Sequence, residues 1–99
     1  MSDLDDKRFD YDSPDGTPYF TLYVVYKTEL HEWGEPDEEF YSVIGHADGA
    51  GTGFGERDMD WSFVDEASAN EAMRRVEEVT ADRPGFTVSV ERNVLEAFE

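Results

Sequence analysis

The side chains best suited to chemistry flank a glycine-rich stretch in the middle of the chain. His46 and Asp48 precede it, and Asp58 and Asp60 follow it. Imidazole and carboxylate groups that come together can transfer protons, and carboxylate oxygens are the ligands that hard divalent cations prefer. One hypothesis is therefore a small enzyme or metal-binding domain built on this cluster. However, Asp-x-Asp pairs arise by chance in a chain this acidic, and no nucleophile lies at a recognisable spacing from a base. The sequence thus assigns no catalytic residue, no metal ligand and no cofactor.

The glycines between these pairs do not match a nucleotide-binding loop. They alternate with other residues, at Gly49, Gly51, Gly53 and Gly55. The dinucleotide motif needs G-x-G-x-x-G at the start of a helix, whereas here the spacing differs and a strand pattern follows. Alternating glycines either leave one face of a strand bare or form a flexible hairpin loop. We predict the hairpin loop, with the alternative that its bare backbone approaches a ligand or another chain.

Several residues are candidates for binding. Phe54 lies among the glycines, where an aromatic side chain is not expected to pack into the core of its own domain. His46 and Arg57 flank this stretch. Arg57 is expected to pair with Asp58 or with a glutamate of a neighbouring strand. Trp33, near a turn signal at 33–38, is either a lid on the core or an exposed anchor. The tyrosines expected on an open sheet face complete the set: Tyr19, Tyr23 and Tyr41.

The composition excludes several classes of protein. There are 25 acidic residues against 8 Lys and Arg, a formal net charge of -17, and no cysteine. Such a chain is repelled by phosphate backbones and anionic membranes, and it cannot form disulfides. No apolar run approaches the roughly 20 residues of a membrane span, and the N-terminus lacks the features of a secretory signal. We therefore expect a cytoplasmic protein with no direct nucleic-acid or membrane binding.

Two interpretations of the acidity compete. The first is a solvated coat, as in hosts that keep concentrated salt in the cytoplasm, because carboxylates are scattered over every segment. The second is a nucleic-acid mimic that inhibits a DNA-binding protein, which would concentrate the carboxylates along one track. The sequence favours the coat, and stability is then expected to rise with salt as self-repulsion is screened.

The periodicity of the apolar residues predicts the elements. Strands are predicted over 19–28, 40–46, 56–64 and 86–90, and one helix over 65–80. In the first strand, Phe20, Leu22, Val24 and Tyr26 alternate toward the core. In the helix, Asp65 is a plausible N-cap, and the apolar residues from Ala69 to Val79 step by three and four. Residues 94–98 fit either a short strand or a docked tail.

These elements predict a two-layer α+β fold. An antiparallel sheet of four to five strands, in the order β-β-β-α-β, carries one helix on one face and leaves the other face open. Residues 1–18 are predicted to be an acidic, mostly flexible segment, and residues 19–99 a single domain. The function that fits best is a non-enzymatic binding or protein-interaction module. Its partner is expected to be another protein or a second copy, bound through the open sheet face.

Overall fold

The computed structural model describes residues 4–30 and 34–96, which form one four-stranded sheet, two α-helices and two short 3-10 helices. In chain order the elements are a 3-10 helix at Asp5–Lys7, β1 at Pro18–Lys27, a 3-10 helix at Thr28–Leu30, α1 at Glu35–Ile44, β2 at Gly49–Gly53, β3 at Glu56–Phe63, α2 at Glu66–Val79 and β4 at Phe86–Val94.

The sheet is antiparallel, with the spatial order β2-β3-β1-β4. The predicted α+β class and antiparallel sheet are confirmed, and β1 and β3 are the central strands. The predicted order β-β-β-α-β is wrong, because a second helix separates β1 from β2. The observed order β-α-β-β-α-β is that of the split β-α-β, or ferredoxin-like, fold.

Both helices pack on the same face of the sheet. The even-numbered residues of β1 point to this face, and Leu22 and Val24 are fully buried there. Phe40 of α1 and Val76 of α2 belong to the same buried cluster. Trp61 of β3 lies under α1, with its indole N–H donating to the Gly45 carbonyl at 2.9 Å. The molecule therefore has two layers, and the opposite face of the sheet carries no helix within the described residues.

Helix α1 replaces the strand predicted over 40–46. Its buried apolar positions, Pro36, Phe40 and Ile44, repeat every four residues, which is the spacing of one helix face. Proline is tolerated in the first turn of a helix, because the amide hydrogen it lacks would have no intrahelical partner there. Gly45, with φ of 85°, ends the helix. The aromatic and β-branched residues of this segment favour a strand locally. A helix forms because it places the buried apolar residues together on one face.

Helix α2 confirms the helix predicted over 65–80. Asp65 is its N-cap, and its carboxylate accepts a hydrogen bond from the Ser68 amide at 2.7 Å. Ala69, Ala72 and Val76 form its buried stripe. Their small size lets α2 lie close to β1, β3 and β4.

The glycine stretch is a strand with a tight turn, not a long loop. Residues 49–53 pair with 56–60 of β3, so that only Phe54 and Gly55 connect the two strands. The prediction of a flexible loop is therefore wrong, and the alternative of a strand with a bare face is confirmed.

The N-terminal segment lies against β3 beyond the end of β2. The Phe9 amide donates to the Ser62 carbonyl at 2.9 Å, and the Val64 amide donates to the Lys7 carbonyl at 2.8 Å. Leu4 and Phe9 are buried. The flexibility expected of residues 1–18 stays a prediction.

Within the described parts of the chain, neither helix is long and apolar enough to cross a membrane.

Candidate functional site

The β2–β3 hairpin closes with a turn that places Phe54 in an unfavourable backbone conformation. Phe54 has φ of 53° and Gly55 has φ of 77°. A two-residue turn with two positive φ angles is of type I′, which normally takes Asn-Gly or Gly-Gly. A left-handed conformation costs a residue with a side chain such as phenylalanine roughly 1–2 kcal/mol. Among the described residues, Phe54 is the one non-glycine residue with positive φ.

The Phe54 side chain is also fully exposed to solvent. Its accessible area is 109% of the reference value, whereas the next most exposed large apolar side chain among the described residues, Tyr11, reaches 49%. A ring in water contributes nothing to the core of its own domain, and its turn costs free energy. Backbone strain of this kind clusters at sites of function. Full exposure together with backbone strain makes Phe54 the leading candidate for a functional residue.

A buried ion pair fixes the base of the hairpin on α1. The Asp37 carboxylate accepts hydrogen bonds from Arg57 Nε at 2.6 Å and from the Tyr26 hydroxyl at 2.7 Å. Arg57 also donates through Nη1 to Thr52 Oγ1 at 2.9 Å, across to β2. The side chains of Arg57 and Asp37 are only 16% and 10% exposed. One guanidinium thus joins both strands of the hairpin to a helix.

The contacts with Asp37 shift the pKa values of both its partners upward. Burial raises the pKa of the Tyr26 hydroxyl well above its usual range, and the Asp37 hydrogen bond raises it further. Burial alone would lower the pKa of Arg57, but the hydrogen bond and charge of Asp37 raise it overall. Tyr26 therefore stays protonated and Arg57 stays charged near neutral pH.

The turn is also attached to the end of the central strand. The Thr28 amide donates to the Gly55 carbonyl at 3.0 Å, and Lys27 Nζ lies 3.4 Å from Glu56 Oε2. These contacts hold the turn that carries Phe54 against the end of β1.

Behind the hairpin, two carboxylates of β3 lie over the bare backbone of β2. A Cβ atom built on Gly49 would lie 2.9 Å from Asp60 Oδ2, and one on Gly51 would lie 3.1 Å from Asp58 Oδ1. Gly49 and Gly51 thus leave room for these two carboxylates, whereas a Cβ on Gly53 would meet nothing within 4 Å. Burial raises the pKa of Asp60, and the charges of Asp48 and Asp58 raise it further.

The imidazole and the carboxylates of the predicted cluster make separate contacts and do not form one site. Asp48 accepts from Arg8 Nη2 at 2.8 Å and from the Ser62 amide at 2.7 Å. The His46 ring lies against Tyr41, with ring centroids 4.5 Å apart. In residues 4–30 and 34–96, no group of three or more histidine, aspartate or glutamate side chains is placed to hold a metal ion.

The expected tyrosine face is smaller than predicted. Tyr41 lies on α1, so its predicted place on the sheet is wrong. Tyr19 stacks on Phe9 at 4.5 Å, so the N-terminal segment covers part of that end of the sheet. Tyr23 remains on the open face, between Asp60 and Ser89.

Sequence reasoning located Phe54 and Arg57 but missed the partner of Arg57. Neither predicted partner, Asp58 or a strand glutamate, forms the close pair, because Asp37 of α1 takes that position. The acidic residues and the proline at 35–38 are a helix-start signal that would have indicated α1, although not its pairing with Arg57. Trp33 lies outside the described residues.

No protein-family model matches this chain, and no curated protein sequence matches it. A ferredoxin-like fold hosts many unrelated functions, so function has to be argued from the site itself.

Proposed function

We propose that this protein is a non-enzymatic binding module that inserts Phe54 into an apolar pocket of a protein partner. The observation that carries the proposal is the combination at Phe54 of full exposure and a left-handed backbone. Both features are unfavourable for the isolated domain, and both are offset once a partner buries the ring.

The rigid hairpin favours tight binding. Association costs conformational entropy, and a residue held in its bound position before contact lowers that cost. The ion pair between Arg57 and Asp37 and the hydrogen bond from Thr28 to Gly55 hold the hairpin on both sides. Aromatic residues with few rotatable bonds are typical anchors of protein interfaces.

The charge of the molecule indicates a partner with a basic rim around the pocket. The net charge is -17, and the strand behind Phe54 carries Glu56, Asp58 and Asp60. Complementary charge accelerates association and selects against acidic partners. A DNA-binding protein is one such partner, as the mimicry hypothesis expects, and competition by duplex DNA distinguishes that class from the others.

The test compares Phe54→Asn with Val64→Thr. Asparagine suits the first position of a type I′ turn, so Phe54→Asn removes the ring while relieving strain, and its unfolding free energy rises by about 1 kcal/mol. Val64→Thr removes apolar surface from another exposed position. Proteins retained from a source-cell lysate by immobilised wild type are identified, purified and titrated by calorimetry against all three chains.

The expected result is an affinity at least about 30-fold weaker for Phe54→Asn, the size of an interface hot spot, and within about twofold of wild type for Val64→Thr. Equal affinity of Phe54→Asn and wild type would overturn the proposal. A captured protein whose binding falls equally in both variants would also overturn it, because the ring would then be ordinary apolar surface.

A further inference from the structure

Strand β4 forms an edge of the sheet that no described residue covers. It pairs only with β1, over nine residues. Just beyond the two ends of β4, the Lys27 amide donates a hydrogen bond to the Gly85 carbonyl at 3.2 Å, and the Leu95 amide donates one to the Thr17 carbonyl at 2.9 Å. Because antiparallel strands alternate in bonding, the odd-numbered residues of β4 bond to β1. The amide and carbonyl groups of the even-numbered residues between them point outward: Val88, Val90 and Arg92.

This edge carries one feature that opposes strand addition and lacks the others. Exposed edges are normally short, or carry lysine, proline, a bulge or an inward-pointing charged residue. Strand β4 is long, contains neither lysine nor proline, and alternates valine with polar residues, and its one charged residue on the core side, Arg92, lies near its end and is exposed. Val88 and Val90 are half-buried against the core, and Val94 is 41% exposed. A further strand here would bury apolar surface and satisfy the outward backbone groups together.

We propose that two copies of this chain pair antiparallel along β4, with Val90 on the two-fold axis. In this register Val90 lies opposite its own copy, Val88 opposite Arg92 and Ser89 opposite Glu91. All nine residues of β4 overlap, and about six backbone hydrogen bonds form between residues 88 and 92 of the two copies. An axis through residue 91 or 92 instead opposes two glutamates or two arginines and shortens the overlap. The axis at Val90 therefore gives the longest overlap of β4 with its copy and opposes no like charges.

A depression beside β4 supports the same register. It has a volume of about 240 Å³ and is lined on the sheet side by Phe86 and Val88, on the α2 side by Glu77 and Thr80, and after α2 by Ala81 and Arg83, whose charge is paired with Glu39. Arg92 of the second copy lies opposite Val88 and on the same face of the sheet, so its guanidinium reaches the depression near Glu77. Arg92 is exposed in the single chain, so this contact supplies a charge partner across the interface.

The overall charge makes the association depend on salt. Two chains of net charge -17 repel each other in dilute buffer. Raising KCl from about 0.1 M to about 1 M shortens the Debye length from roughly 10 Å to 3 Å and removes most of that repulsion, while backbone and apolar contacts remain. The dimer is therefore expected to form in concentrated salt.

Sedimentation velocity and amide hydrogen exchange test the proposal on the full chain. We expect a monomer–dimer equilibrium in molar KCl. We also expect amide exchange at Val88, Val90 and Arg92 to slow at least tenfold as protein concentration rises, whereas the inward amides of Ser89 and Glu91 are protected at all concentrations. A chain that stays monomeric at millimolar concentration in molar KCl overturns the proposal. So does a dimer in which the outward amides exchange as fast as in the monomer, because it would have formed through another surface.

A charge exchange tests the register. Ser89→Glu places one carboxylate opposite Glu91 of the other copy in each of two symmetry-related pairs, and weakens the dimer by about tenfold at about 0.5 M KCl. Ser89→Glu/Glu91→Lys turns these into attractive pairs and restores wild-type affinity or better. Ser89→Glu/Asp12→Lys carries the same net charge without the pairing, and its dimer is expected to stay weak. Equal recovery in the two double variants, or no loss in the single variant, contradicts the register.

Discussion

The two edge strands of the sheet, β2 and β4, differ in length, composition and coverage. At the β2 edge the strand is five residues long, rich in glycine, and followed along β3 by the N-terminal segment, whose Phe9 amide pairs with Ser62. At the β4 edge the strand is nine residues long, rich in valine and uncovered by any described residue. The first edge presents one fixed side chain, Phe54, and little usable backbone. The second presents backbone groups and no prominent side chain.

The two proposals assign a different kind of recognition to each edge of the sheet. A side chain on a rigid turn recognises a pocket, and its specificity comes from shape and charge. A free strand edge recognises another strand, and its specificity comes from register. The contrast between the two edges depends on the rigidity of the β2–β3 hairpin. Variants that loosen or strain this hairpin therefore test the contrast most directly.

The largest effect is expected from Asp37→Asn. This change removes the charge that pairs with Arg57 and leaves a largely buried guanidinium with a weaker acceptor. Breaking a buried pair costs 3–5 kcal/mol, and the residual exposure of this pair reduces our estimate to about 2–3 kcal/mol of unfolding free energy. Urea denaturation gives the loss, and amide exchange should accelerate in the hairpin more than in β4. The control is Glu56→Gln, which loses a surface pair with Lys27 and should cost under about 0.5 kcal/mol. Equal costs would show that Asp37 does not hold the hairpin.

The sequence predicted the elements whose burial follows a simple period. In β1, alternate residues face the core, and in α2 the apolar stripe and the Asp65 cap agree with each other. Helix α1 was missed because Tyr41, Val43 and Ile44 favour a strand locally, whereas the stripe that makes it a helix depends on contacts with Trp61 and Phe86 from later in the chain. Missing this helix also produced the wrong order of elements along the chain.

The candidate site was predictable in part. Phe54 could be located because an aromatic residue among glycines is unusual in any fold. Its left-handed backbone could not be predicted, because this depends on the strand pairing that shortens the turn to two residues. The link from Arg57 to Asp37 joins residues twenty positions apart, so no local pattern contains it. The edge position of β4 likewise follows from topology alone.

A smaller effect is expected from adding methyl groups to the glycine edge. Gly49→Ala places a Cβ against the Asp60 carboxylate, and moving that side chain should cost about 1 kcal/mol of unfolding free energy. Gly51→Ala should cost less, because its nearest contact is longer. Gly53→Ala meets nothing within 4 Å and should be neutral or slightly stabilising. Combining Gly49→Ala with Asp60→Ala should recover most of the loss. Equal costs at all three glycines would show that strand propensity, and not the carboxylates, explains the alternation.

The smallest effect is a pH dependence at Asp60. Its pKa is raised by burial and by the charges of Asp48 and Asp58, so the folded state binds the proton more tightly than the unfolded state does. The ionised carboxylate therefore weakens the fold above its folded pKa, and this penalty disappears as pH falls below the unfolded value of about 3.9. After allowance for solvent screening, Asp60→Asn should be more stable than wild type by about 0.3 kcal/mol at pH 7, and equally stable near pH 3.

Asp65 provides a control of opposite sign for this measurement. Its hydrogen bond with Ser68 lowers its pKa, so its contribution is present above the unfolded pKa and is lost as pH falls through the folded value. Asp65→Ala should therefore cost about 1 kcal/mol at pH 7 and progressively less in acid. Thermal unfolding of the two variants and wild type between about pH 3 and pH 7 should give differences that converge on zero from opposite sides. A loss of stability in Asp60→Asn at pH 7 would mean that the carboxylate makes a favourable contact over β2. The close approach of Asp60 to Gly49 would then reflect attraction between β3 and β2, and not crowding.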